Sequence, residues 1–224
     1  MYDHQSKQLQ HTQADHHQPY TIKVEGEGQV TAEPDRAIIT LGVISEGMEL
    51  RTVQADNATI TTQVIQSLRQ LNIPPEQIQT VDYRVETEYD YIDGKQLFRG
   101  YKVTHLLQIT TDRMNQAGIL VDTAVTNGAN TVTGIRYTLS NTELYENQAL
   151  ALAVRNAISK AGAIAYAMGI TIQPTPVRVR ELPNRAQPFQ PMSAALKASS
   201  VTPLSPGQIT ITAAVRAWFN RYGL

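Results

Sequence analysis

Several side chains in this sequence are of types and spacings that could do chemistry. Glu86, Glu88 and Asp90 sit two apart, where carboxylates can hold a cation or divide acid and base work. His4, His11, His16 and His17 crowd the first twenty residues, and imidazole suits zinc, copper and nickel. His105 stands alone in an apolar stretch, and Gly26-Glu-Gly28 has the opening spacing of a nucleotide-binding loop. Tyr83, Tyr89, Tyr91 and Tyr101 form a stripe able to stack on a ligand.

Each has a plainer reading. Strand residues two apart are separated by roughly 6 to 7 Å, and a carboxylate-pair hydrolase also needs a cleft. A solvated strand face answered by Arg99 and Lys102 uses the same acidic residues. Position 31 is Thr, and Gly26 and Gly28 lie inside a strand pattern. There the missing side chains let a helix, the alanine ladder described below, lie close to the sheet. The histidines of the tail sit on a polar segment, so metal sequestration by that tail is the third-ranked reading. His105 reads as a hydrogen-bonded core or interface residue, and the tyrosines as cover for a core or subunit interface. No Gly-x-Ser-x-Gly, His-Glu-x-x-His or phosphate-loop motif occurs.

Composition narrows the classes further. The 224 residues, 42% hydrophobic and 17% charged, suit one compact domain or two small interlocked lobes. There is no cysteine, which removes thiol nucleophiles, thiolate metal sites and disulfides. Nineteen basic and twenty acidic residues give a net charge of −1, so no general positive field draws a phosphate backbone and nucleic acid is not an expected partner. No apolar run is long enough to span a bilayer. The first twenty residues lack the pattern of a signal peptide. The chain as written therefore reads as cytoplasmic, with a periplasmic or exported location as the alternative if a native leader is missing.

The elements that would position these residues follow from periodicity. Residues 1–20 form a polar tail expected to be mobile, and the folded domain runs from 21 to 224. Ile22 to Val30 and Arg36 to Ser45 alternate as strands, broken by Pro34-Asp35. Leu50 to Leu71 carries a helical stripe interrupted by Asn57 and ended by Pro74-Pro75. Ile78 to Thr110 reads as a long hairpin turning at Asp93-Gly94. A shorter helix is expected over Asp112 to Asn127 with Gly128 as its left-handed cap, then a strand over Thr131 to Leu139. Ser140-Asn-Thr-Glu143 has capping-box spacing for a helix reaching Met168, stopped by Gly169. Alanines at 149, 153, 157, 161 and 165 line one face of it. Val177 to Leu182 is a strand, Pro183 to Pro206 a proline-rich loop or arm within the domain, and Ile209 to Phe219 a closing strand. The order ββαββαβαββ predicts an α+β fold with a mainly antiparallel sheet, two long helices and one shorter one.

Val24-Glu-Gly-Glu-Gly-Gln-Val30 with Pro34-Asp35, Ala55 and Asn57, Thr80, Gly100-Tyr101 with Val103, Gly128-Ala129-Asn130 and the alanine ladder occur in an order that resembles the SIMPL-domain family. That family includes YggE-like oxidative-stress defence proteins and a periplasmic immunogenic protein. The resemblance spans Ile22 to Trp218 and implies an α+β fold, homo-oligomers and oxidative-stress or envelope-stress roles. It supplies no catalytic residue and no cofactor.

The expectation is a non-catalytic protein that associates with itself, with no cofactor and no membrane span. Interface candidates are Tyr83, Tyr89, Tyr91 and Tyr101 on the hairpin and Phe189 in the arm. Gly26, Gly28, Pro34, Asp35, Asn57, Gly128, Ala153, Ala157 and Ala161 are the structural positions. The alternative is a small-molecule-binding domain or hydrolase with a pocket under the tyrosine-rich face.

Overall fold

Period-two and period-3.6 segments alternate along the chain, and the computed structural model, which describes residues 21–183, 202, 204 and 206–222, sorts them into two antiparallel sheets with helices. The elements are β1 (Thr21–Ala32), β2 (Arg36–Gly47), α1 (Leu50–Gln70), β3 (Ile78–Ile92), β4 (Lys95–Thr111), α2 (Ala117–Thr126), β5 (Thr131–Thr138), α3 (Thr142–Ala167), β6 (Arg178–Leu182) and β7 (Ile209–Asn220). This is the α+β class and the strand and helix order that the periodicity predicts. Two compact units result. One holds 30–147 with the described residues of 202–211, and the other holds 21–29, 148–183 and 212–222.

In the first unit the strands run in the order β3-β4-β2-β5. Ile39, Leu41 and Val43 of β2 and Leu107 and Ile109 of β4 share one face, because Leu41 pairs with Leu107 and Ile39 with Ile109. Val64 and Leu68 of α1 and Leu120 and Ala124 of α2 close the core over them. Each such large side chain withdrawn from water contributes about 1.5–3 kcal/mol. Asn57 lies inside this core, where its Nδ2 donates to the Val43 and Val103 carbonyls and to Ser45 Oγ. The break in the apolar stripe of α1 is thus a polar tie to both β2 and β4.

Three helix ends differ from the sequence reading. Helix α1 stops at Gln70, ahead of the prolines, because Asn72 takes a left-handed φ of 59° and Ile73 N–H reaches back to the Leu68 carbonyl. Helix α2 starts at Ala117 instead of Asp112. Asp112 is held by Arg36, and a short 3-10 turn at Met114–Gln116 fills the gap. The Ser140–Glu143 capping box does not form at α3. Asn141 Oδ1 accepts Leu144 N–H and serves as the cap, while Ser140 turns both its N–H and its hydroxyl to the Asp35 carboxylate at 2.6 Å. Gly128 does cap α2: its φ is +108°, Gly128 N–H bonds the Val125 carbonyl and Ala129 N–H the Ala124 carbonyl.

The second unit is a three-stranded sheet, β1-β7-β6, with α3 packed on one face. Val24, Val215, Ala217 and Phe219 meet Ala153, Ala157 and Ala161. A Cβ on Gly26 would stand 2.1 Å from the Ala153 carbonyl oxygen, and one on Gly28 would stand 2.0 Å from that of Ala149. Helix backbone therefore rests on strand backbone.

Candidate functional site

Why the β3–β4 hairpin stands out follows from its sequence. Two long alternating strands are joined by Asp93-Gly94, which take φ of 50° and 74° and so make the two-residue turn whose twist matches the strands. One face then carries Tyr83, Val85, Thr87, Tyr89 and Tyr91, and the other Asp82, Arg84, Glu86, Glu88 and Asp90. Arg99 is an extra residue on β4, since Glu88 pairs with Gly100 and Tyr89 with Phe98. That bulge turns Phe98 to the same side as Tyr101, and three rings meet edge to face: Tyr89 with Phe98 at 6.2 Å and Phe98 with Tyr101 at 5.3 Å. Tyr91 stands near the tip, 76% exposed.

Tyr83 is separate from that cluster. Its ring meets His105 edge-on at 5.3 Å, and Gln54 Nε2 donates to its hydroxyl. His105 Nε2 shares a hydrogen bond of 2.9 Å with Thr80 Oγ1, and burial lowers its pKa from the usual imidazole value. The imidazole thus links Thr80 and Tyr83 of β3 to β4. Phe189, most of the Pro183 to Pro206 arm (184–201, 203 and 205) and the four tail histidines lie outside the described residues.

The acidic face does not meet the basic partners the sequence suggests. Arg99 bonds Glu46 at 3.3 Å and Arg84 bonds Asp82 at 2.8 Å. Lys102 is the register partner of Glu86, but the two form no ion pair among the described residues. Among the described residues no group of three His, Asp or Glu side chains converges as a metal site. A shallow concavity on α1, lined by Ala58, Thr59, Thr62, Gln63 and Gln66, carries no titratable group.

The structural positions fall into separate places. Gly26 and Gly28 lie under Ala149, Ala153 and Ala157. Ala161 is fully buried further along α3. Pro34 sits in the short link between β1 and β2, and Asp35 beside it is held below 3.8 by the hydroxyl and then the N–H of Ser140.

Sequence reasoning missed the open face of the smaller sheet. Trp218 of β7 is flanked by Arg178, 5.0 Å from its ring, and by Lys23 at 6.0 Å. Arg216 is tied to Glu25 at 2.6 Å. The signal was present as alternation of Lys23, Glu25 and Glu27 and of Arg178 and Arg180, but nothing local says that these strands flank β7. Asn130 was also overlooked as a side chain: its amide exchanges two hydrogen bonds with Ile44 and extends the β2–β5 ladder by one rung.

No helix among the described residues is long and apolar enough to cross a membrane. The chain is 31% identical over 183 residues to the 26 kDa periplasmic immunogenic protein of Brucella melitensis biotype 1, covering 80% of this chain and 72% of that protein. It is 26% identical over 195 residues to the uncharacterized protein YggE of Escherichia coli strain K12, covering 87% and 78%. The same name is carried by a relative in Edwardsiella ictaluri, 26% identical over 154 residues and covering 68% and 64%. The family profile described as SIMPL, protein of unknown function (DUF541), matches residues 22–219. The chain therefore belongs to the SIMPL family.

Proposed function

We propose that this protein is non-catalytic and acts by associating with copies of itself, with the aromatic face of the β3–β4 hairpin as a contact surface. The observation that carries the reading is the exposure of large rings on one face of a two-stranded ribbon. Tyr89 is 43% exposed, Phe98 45% and Tyr91 76%. Isolated exposed apolar residues are ordinary, but a contiguous set on an elongated hairpin marks a surface that a partner covers. The reading of a ligand pocket or hydrolase centre under the same face draws less support, because these rings stand on an open ribbon. The physiological setting we infer is oxidative-stress or envelope-stress defence, supported by the family resemblance. A periplasmic location is supported by the name of the Brucella relatives.

Light scattering coupled to size exclusion tests the assembly. The expected result is a discrete multimer at micromolar concentration, and a Tyr89→Ala, Tyr91→Ala chain eluting with a smaller mass. A monomeric wild-type chain sinks the reading.

A further inference from the structure

Each sheet ends in strands that have a strand neighbour on one side within the sheet, and such edges are either blunted or used. In the smaller sheet β1 is blunted by α3. Asn156 Oδ1 accepts the Glu27 N–H at 3.1 Å, and Lys160 Nζ donates to the Glu25 carbonyl at 2.9 Å. The other edge, β6, receives no such bond among the described residues. Its Arg178 and Arg180 share the face of Trp218 and Arg216, because Arg178 pairs with Trp218 and Arg180 with Arg216. Val179, 46% exposed, lies on the opposite face, and Val177 just before the strand is 52% exposed.

The end strand β3 of the other sheet has the complementary pattern. Glu88 and Asp90 lie on one face, and Tyr89 and Tyr91 on the other. Among the described residues none of Arg178, Arg180, Glu88 and Asp90 is in an ion pair, although other arginines of the same two sheets are.

We propose that β6 of one copy adds antiparallel to the outer edge of β3 of a second copy, with Arg178 opposite Asp90 and Arg180 opposite Glu88. That register also sets Val179 against Tyr89 and Val177 against Tyr91, so charge meets charge on one face and apolar meets apolar on the other. A slip of one residue would put the arginines among the tyrosines and the carboxylates among the valines. Every copy carries both edges, so the contact joins two different surfaces. The inference rests on the self-association reading and names the surfaces it uses.

Charge reversal tests it. R178E/R180E makes both edges acidic, and E88R/D90R makes both basic. Each variant alone is expected to associate roughly a hundredfold more weakly than wild type, because like charges then face each other. An equimolar mixture of the two is expected to regain the wild-type mass, since every contact again joins opposite charges. The quadruple variant R178E/R180E/E88R/D90R is expected to assemble by itself, and its assembly also shows that the substitutions are compatible with folding.

Variants that each keep the wild-type mass overturn this pairing while leaving self-association standing. So does a loss that neither mixing nor the quadruple variant restores. If R178E/R180E keeps the multimer but loses wild-type binding to phosphatidylglycerol vesicles, the arginine face belongs to a lipid surface and the pairing is overturned. A monomeric wild-type chain removes both readings together.

Discussion

The two units hold a helix against a sheet in opposite ways. In the larger unit, α1 and α2 stand off the sheet on Val64, Leu68 and Leu120, which interleave with Ile39, Leu41, Leu107 and Ile109. In the smaller one, α3 presents alanines to glycines, and Phe219 and Val215 are large side chains fully buried beside them. The first arrangement draws stability from apolar volume removed from water. The second draws on close backbone approach, which gives many short dispersion contacts and lets Asn156 and Lys160 reach the β1 backbone. A large core tolerates a lost methyl group better than a closed gap tolerates an added one.

The sharpest way to break that contrast is to put a methyl group into the smaller unit. Gly26→Ala is expected to cost about 4 kcal/mol in urea unfolding, since the new Cβ meets helix backbone that has no soft side chain to move. Gly162→Ala is the control. A Cβ there meets nothing within 4 Å, and the change is expected to raise stability by about 0.5–1 kcal/mol. Equal effects at the two positions would erase the distinction.

Next in size is Leu107→Ala in the larger unit, expected to cost about 3 kcal/mol by the same measurement. A cost below that of an exposed substitution would mean that this core is not held by side-chain volume.

The smallest expected effect concerns acid. Asp35 has its pKa lowered by Ser140, so its contribution is present above 3.8 and is lost as pH falls through the lower folded value. Ser140→Ala removes the larger of the two hydrogen bonds. The chain should then lose less stability than wild type when acidified below about pH 4. Identical acid limbs for both chains would show that the link between Asp35 and Ser140 does not contribute to stability.

Much of the fold was legible because period is a local property. The alternation in 22–30 and 209–219, the turn at Asp93-Gly94 and the stops at Gly128 and Gly169 each follow from a few neighbouring residues. Helix starts were not legible in the same way. Ser140 and Asp112 both look like local capping or helical residues, and both are taken by partners far along the chain, Asp35 and Arg36. The aromatic face of the hairpin was visible as a stripe, but the bulge at Arg99 that gathers Phe98 with Tyr89 and Tyr101 was not.

The sequence by itself determined the order and type of the elements, the family, and the positions where side chains had to be small. Those follow from backbone sterics and from side-chain period, which act over a few residues. Only the tertiary structure decided which strands became edges, which charges found partners and which helix filled the space over the glycines. Strand order and ion pairing join residues far apart in the chain, so their energies depend on distances that no local pattern contains. Among the described residues, the arginines of β6 and the carboxylates of β3 carry no ion pair because the strand order sets each pair at a sheet edge.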